Sequence, residues 1–166
     1  MFALYPMAVW NAIHTVWDTT LGVSDLESKA PLTRDSVFPL GSTSKVLTSV
    51  ALGRLIEARR LDVDATIQTY VPYFPEKEHV LTARLLAGHL SGIRDYDRSG
   101  GEYHNTRNFK TSREAVEVFM RDSLLFEPGT AHAYSAYNFV LLGAAIESAS
   151  GQEFLSYVRD QVTSPL

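Results

Sequence analysis

The chain has 166 residues, 45% of them hydrophobic, 20% charged and 11% aromatic. That size and composition suit a single domain with one sizeable core and exclude disordered, collagen-like and coiled-coil classes. The formal charge of −4, from 15 Lys and Arg against 19 Asp and Glu, supplies no basic face for nucleic acid or an anionic membrane. A small-molecule or peptide substrate of weak charge fits better. The absence of cysteine removes a disulfide framework, a thiolate nucleophile and a Cys-bearing zinc site. No run approaches the roughly 20 apolar residues that span a bilayer, so no transmembrane segment is expected. The opening MFALYPMAVWNAIHTVW is apolar but holds no Lys or Arg before Lys29 and no small-residue cleavage pattern. It reads as part of the folded sequence, or as a start inside a longer frame, rather than as a secretory signal.

From Met7 to Trp17 the Val, Ile, Trp and Thr content predicts a strand pair turning near Asn11. After a polar connection carrying Pro31 and Pro39, GSTSKVLTSVALGRLIEARR places Val46, Leu47, Val50, Ala51, Leu55, Ile56 and Ala58 on an apolar helical stripe. This helix starts at or beside Ser42 and closes at Arg59 and Arg60, where cations suit the dipole. LTARLLAGHL predicts a shorter helix with Leu81, Leu85, Leu86 and Leu90 inward, ended by Ser91 and Gly92. The hydrophilic stretch from Arg94 to Glu114 is a loop, and a helix is expected from Ser112 to Phe119 with Ala115, Val116 and Phe119 on one face. Pro128 and Gly129 mark a turn. YSAYNFVLLGAAIESASG then predicts a well-buried helix stopped at Gly151, and EFLSYVRDQVTSPL one more. A lone strand pair is marginal in water, so its partner strands are expected downstream of Leu166 unless the helices alone cover it.

Ser42-Thr43-Ser44-Lys45 is the one Ser-x-x-Lys in the chain. Residues three apart share a helix face, so the Lys45 amine can reach the Ser42 hydroxyl. A serine is a weak nucleophile until a neighbouring base takes its proton, and at a helix start its own N–H can stabilise a developing oxyanion. The competing account is a capping serine beside a surface lysine; with 4 lysines and 15 serines, about 0.4 such matches arise by chance. His14, His79, His89, His104 and His132 show no metal-binding spacing, so no metal or other cofactor is expected. Asp62 and Asp64 suit a turn. His89 and Ser91 read as helix-end and packing residues. Trp10, Trp17, Tyr70, Tyr73 and Phe74 read as core or cleft wall.

Longer blocks carry more weight. LGVSDLE, FPLGSTSKVLTSVALGRLIEARRLDVDATIQTYVPYFPEKE, LTARLLAGHLSGIRDY and FEPGTAHAYSAYNFVLLGAAIESASG together resemble the serine β-lactamase-related family. That family includes class C β-lactamases, D-alanyl-D-alanine carboxypeptidases and related esterases, and the likeness is greatest to its LACTB-like serine proteases. The resemblance runs from about Leu21 to Leu166. It implies an α+β, β-lactamase/transpeptidase-like fold, with an antiparallel sheet packed with a helical region. It also implies that Ser42 is acylated, that Lys45 shuttles its proton, and that Tyr134 stands at the family's second motif. A phenol in that role needs its pKa, near 10 when free, brought down by cations such as Lys45. The family further suggests an extracytoplasmic location.

Two departures from the family pattern stand out. Tyr134-Ser135-Ala136 lacks the Asn of the common Tyr-x-Asn, which makes β-lactam hydrolysis less expected than other amide or ester cleavage. A literal Tyr-x-Asn at Tyr103-His104-Asn105 lies in the polar loop and reads as coincidence, and Tyr137 is a weaker rival to Tyr134. The family's third motif, a Lys or His followed by x-Gly, is missing. Residues 1–166 are therefore expected to form a partial domain lacking its C-terminal portion, with little activity alone. The expected reaction is acyl transfer to water through Ser42, Lys45 and Tyr134. A non-catalytic scaffold or ligand-binding relative and a helical interaction module with an accidental Ser-x-x-Lys are the alternatives.

Overall fold

The structure, a computed structural model, describes residues 5–11, 14–99, 101–102 and 107–165. They form two compact units that divide between Leu40 and Gly41. In the first unit, strands β1 (Tyr5–Asn11) and β2 (His14–Leu21) pair antiparallel, from Tyr5 opposite Leu21 to Asn11 opposite His14. The register shifts between Val9 and Trp10, which face Trp17 and Thr15, so Val16 is the extra residue of a bulge. The strand pair is the one expected, and its turn lies outside the described residues. Trp17 is half exposed at 50% and is not core; among the described residues its sheet has these two strands alone. The side chain of Trp10 is outside the described set. Beyond the hairpin, Thr20 Oγ1 donates to the Leu32 carbonyl at 2.9 Å and the Ser24 N–H to the Ala30 carbonyl at 2.8 Å, folding the connection back on itself.

The second unit is helical. It comprises α1 (Ser44–Glu57), α2 (Ala83–Ala87), α3 (Ser112–Val116), α4 (Ala136–Ser150) and α5 (Phe154–Val158), the last continued by a π-helical turn at Arg159–Thr163. Helix α4 is the hub, with α1, α2, α3 and α5 all packed on it. It is apolar nearly all round, and Tyr137, Leu141, Leu142, Ala144, Ala145 and Ile146 are buried, as a central helix requires. Phe74, Ile67, Val71, Leu81, Leu86, Val116 and Phe119 complete the core around it. Helix α4 stops at Gly151, as expected.

Three predicted elements differ in detail. The buried arc of α1 is Thr48, Ala51, Leu52 and Leu55, whereas Val46 and Val50, assigned inward, are 61% and 45% exposed, and Ile56 is exposed too. The helix carries apolar residues on two sides, and only the side that meets the rest of this unit is covered. Helix α2 ends at Ala87 rather than near Gly92; Thr82 caps its start by accepting the Leu85 N–H at 3.3 Å, and Leu81 and Leu86 are buried while Leu85 and Leu90 are half-buried. Helix α3 ends at Val116, although Phe119 is buried as expected.

After α2 the chain passes through His89 and Gly92, both with positive φ, at 57° and 78°. Gly92 is required there twice over. A Cβ on it would lie 2.4 Å from the Phe126 carbonyl oxygen, and its own carbonyl accepts the Leu125 N–H at 2.7 Å. Gly92→Ala is therefore expected to lower unfolding free energy by about 2 kcal/mol or more, read as a reduced urea midpoint with unchanged slope. An unchanged midpoint contradicts the close approach.

Candidate active site

Ser42 sits in a 3-10 turn, Gly41–Thr43, that runs directly into α1 because Thr43 already has helical backbone angles, φ −61° and ψ −27°. The turn is entered through Gly41 at φ 54°, a conformation that favours glycine, and the Ser44 hydroxyl fastens it by donating to the Gly41 carbonyl at 2.7 Å. Ser42 is thus held exposed in the first helical turn, where backbone N–H groups lack intrahelical partners. Its side chain caps nothing; α1 has no side-chain cap. Lys45, one turn on, points its Nζ at Ser42 Oγ from 3.5 Å, the outer edge of hydrogen bonding.

Tyr134 arrives from the other side, on the extended segment that enters α4. Its Oη lies 2.8 Å from Ser42 Oγ, a bond across 92 residues of sequence. Lys45 Nζ stands 5.0 Å from the Tyr134 ring centroid and 5.6 Å from that of Phe139. The Tyr134 phenol is held below its ordinary value of 10.0, first by hydrogen bonding to Lys45, then by the bond to Ser42, against smaller opposition from burial and the Asp95 carboxylate. Tyr134 remains 46% exposed, so a reacting group has access. The structure therefore brings together all three residues singled out from the sequence.

A buried polar frame aims Tyr134. Ser135, at the N-cap of α4, turns its hydroxyl to the Arg94 carbonyl at 2.7 Å instead of capping the helix. Asp95 supplies the cap, accepting the Ala136 N–H at 2.8 Å. Ser91 is fully buried and donates to Asn138 Oδ1 at 2.6 Å, and the Asn138 amide and the Ser135 N–H reach His89 Nδ1 at 3.3 Å and 3.2 Å. His89 and Ser91 are helix-end residues as expected, yet they also join this frame. Asn138 and Asp95 were not singled out; the one hint was a buried-type Asn within the apolar run YNFVLLGAA.

The loop beyond Asp95 is pinned by Arg94, which pairs with Glu102 through two bonds of 2.7 Å and 3.0 Å and with Asp122 at 2.8 Å. Hydrogen bonds from Arg94 bring the Glu102 carboxyl down to about 2, helped by bonds from the Asp97 N–H and the Tyr137 hydroxyl. Tyr137 is thereby placed apart from the site. Its Oη donates to Glu102 at 2.9 Å, its ring stacks on Phe119 at 4.4 Å, and burial raises its phenol. Tyr103, His104 and Asn105 lie outside the described residues. Asp62 accepts the Asp64 N–H at 2.9 Å in a turn, and Asp64 pairs with Arg84 at 2.7 Å. Among the described residues no group of three or more His, Asp or Glu could hold a metal ion, and no helix is long and apolar enough to cross a membrane.

The family model described as Beta-lactamase matches residues 7–166. The serine beta-lactamase-like protein LACTB, mitochondrial, of Homo sapiens is 30% identical, over 87% of this chain and 39% of its own length. The present chain thus spans well under half of that relative. Among solved structures, the D-amino acid amidase from Ochrobactrum anthropi is similar with a TM-score of 0.78 and 25% identity, over 98% of this chain and 44% of the amidase. EstCE1, a hydrolase with promiscuous acyltransferase activity, is similar with a TM-score of 0.76 and 27% identity, over 91% of this chain and 43% of its own. These neighbours share the β-lactamase/transpeptidase-like α+β fold.

Two titrations follow from the site. Lys45→Met is expected to return the Tyr134 phenol toward 10.0, seen as an upward shift in its ultraviolet titration relative to a Tyr134→Phe reference; no shift contradicts the assigned cause. Glu102 is depressed in the folded chain, so its stabilisation is present above its ordinary value of 4.5 and is lost as pH falls toward about 2. Glu102→Gln should flatten stability against pH in that window, and an unaltered profile contradicts the pairing.

Proposed function

The chain belongs to the beta-lactamase family, and on that premise we propose that it is a serine hydrolase working through an acyl-enzyme on an amide or ester. The observation that carries this reading is the 2.8 Å contact between Ser42 Oγ and Tyr134 Oη beneath the Lys45 ammonium. In this reading Ser42 Oγ attacks the substrate carbonyl carbon while its proton passes to the Tyr134 oxygen, whose phenolate form Lys45 favours. The oxyanion forms over the first turn of α1, where free N–H groups and the helix dipole favour negative charge. Tyr134 then gives the proton to the departing nitrogen or oxygen as the acyl bond to it breaks. Water repeats the sequence on the ester, its proton passing to Tyr134 and on to Ser42 as the acid leaves. No cofactor enters.

The neighbours' names support small amide or ester substrates: one is a D-amino acid amidase and another a hydrolase with acyltransferase activity. At the position after Ser135, Ala136 offers a methyl in place of a carboxamide, and its N–H is engaged by Asp95, so no side-chain donor for a substrate amide arises there. This favours simple acyl groups over β-lactams. We further propose that residues 1–166 form the N-terminal part of a larger domain whose later strands complete the oxyanion site. The exposed apolar side of α1 at Val46 and Val50 and the two-stranded sheet support this.

A fluorophosphonate probe, whose fluoride is displaced by the attacking serine, tests the reading. Mass mapping is expected to find the adduct on Ser42, to lose it in Ser42→Ala and to keep it in Ser44→Ala; an adduct on Ser44 reassigns the nucleophile, and a chain that binds acyl ligands without ever being labelled is a non-catalytic relative. Labelling is expected to be at least about tenfold slower than that of the D-amino acid amidase, for want of a second oxyanion donor. Equal rates contradict the partial-domain proposal.

A further inference from the structure

His89 occupies a backbone conformation that a side chain with Cβ rarely adopts, φ 57°, at the point where the chain leaves α2. Its ring centroid lies 4.6 Å from that of Tyr134, with the planes tilted by 32°, so the imidazole backs the phenol ring. Phe139 lies on the same imidazole at 5.4 Å and His132 at 6.0 Å. Nδ1 faces two donors, the Ser135 N–H at 3.2 Å and the Asn138 side-chain amide at 3.3 Å. The Asn138 carbonyl oxygen is committed to Ser91, which fixes the amide so that its NH₂ group faces His89. Nδ1 is therefore an acceptor, the ring proton resides on Nε2, and the imidazole is neutral. The Ser135 N–H adjoins Tyr134 in sequence, so the imidazole holds both the phenol ring and the backbone beside it.

We propose that His89 is a positioning residue that holds the Tyr134 phenol on Ser42 only in its neutral form, so that acidification switches the site off. The proposal rests on the serine-hydrolase reading and adds a regulator to it. A proton on Nδ1 would point an N–H at the Ser135 N–H and the Asn138 amide, breaking both bonds and freeing the segment that carries Tyr134. The charged and titratable groups facing the ring are Lys45 from α1, Asp95 from the loop after α2, and His132 and Tyr134 from the segment entering α4. Burial, then His132, then Lys45 hold His89 below its ordinary value of 6.5, against smaller opposing effects of Asp95 and of the Ser135 backbone. With the folded value depressed, the neutral arrangement is complete above about 6.5 and is lost as pH falls through the lower folded value.

His89→Asn separates positioning from folding, because Asn tolerates positive φ and its Oδ1 can accept the Ser135 N–H, but it neither stacks on Tyr134 nor titrates. Long-range proton–nitrogen NMR of the 166-residue chain is expected to show the His89 proton on Nε2 near neutral pH; a proton on Nδ1 overturns the proposal. Fluorophosphonate labelling of the wild-type chain should fall with acidification by an added factor of about ten per pH unit once His89 titrates, and the variant, with an unfolding midpoint no lower, should lack that added slope. Identical profiles overturn the proposal. If the wild-type chain is never labelled, the hydrolase reading fails, and carbon NMR of the Tyr134 phenol then decides the positioning claim. Its titration should move toward 10.0 in His89→Asn, and an unmoved value overturns the claim.

Discussion

One hydrogen bond, between Ser42 Oγ and Tyr134 Oη at 2.8 Å, closes a span of 92 residues, and it forms only because the packed helices bring the two side chains together. A serine hydroxyl is inert without a base, and a phenol is a poor base while its pKa stays near 10. Lys45 changes that balance by standing on the serine's own helix face, close enough to favour the phenolate without occupying the position between the two oxygens. Both partners come from the beginnings of α1 and α4, helices that pack on each other and share one core, to which Ala51, Leu52 and Leu55 of α1 and Leu141 and Leu142 of α4 belong. Core packing thus sets the spacing on which the proposed chemistry depends.

The second requirement is orientation. Tyr134 precedes the helix whose N-terminus it decorates, and that N-terminus is capped by Asp95 from another segment, because its own Ser135 is turned to the Arg94 carbonyl. In the chain of Ser91, Asn138 and His89 the buried Ser91 hydroxyl and Asn138 amide both find partners, the condition under which a buried polar group adds order instead of cost. Electrostatically the frame is a compromise. Asp95 stabilises the helix start while opposing ionisation of Tyr134, and the larger effect of the neighbouring Lys45 outweighs it.

Much of this was legible in the sequence, for identifiable reasons. Helix α4 and its stop at Gly151 follow from an unbroken apolar run ending in a glycine, and the hairpin from its β-branched and aromatic content. The reach of Lys45 to Ser42 follows from a spacing of three. The convergence of Tyr134 does not follow from spacing at all; it was carried by resemblance to a family, since contacts across 92 residues leave no periodic trace. The inward face of α1 was misplaced because Val46 and Val50 are as apolar as Ala51 and Leu55, and periodicity cannot say which of two apolar sides is covered. Trp17 was read as core or cleft wall along with the other aromatic residues, and on a two-stranded sheet it stands half in water. His89 and Asp95 carry roles that only geometry reveals, for each acts on a backbone N–H more than 40 residues away, His89 on Ser135 and Asp95 on Ala136.

The central claim is that phenol, amine and hydroxyl act as one unit on Ser42. Tyr134→Phe removes a single oxygen and leaves the ring, its packing and Lys45 in place. The rate of fluorophosphonate labelling at Ser42 in that variant is expected to fall at least about a hundredfold, the usual contribution of a positioned acid–base group, with the unfolding midpoint unchanged. Labelling at the wild-type rate would show that Ser42 reacts without Tyr134 and would contradict the account.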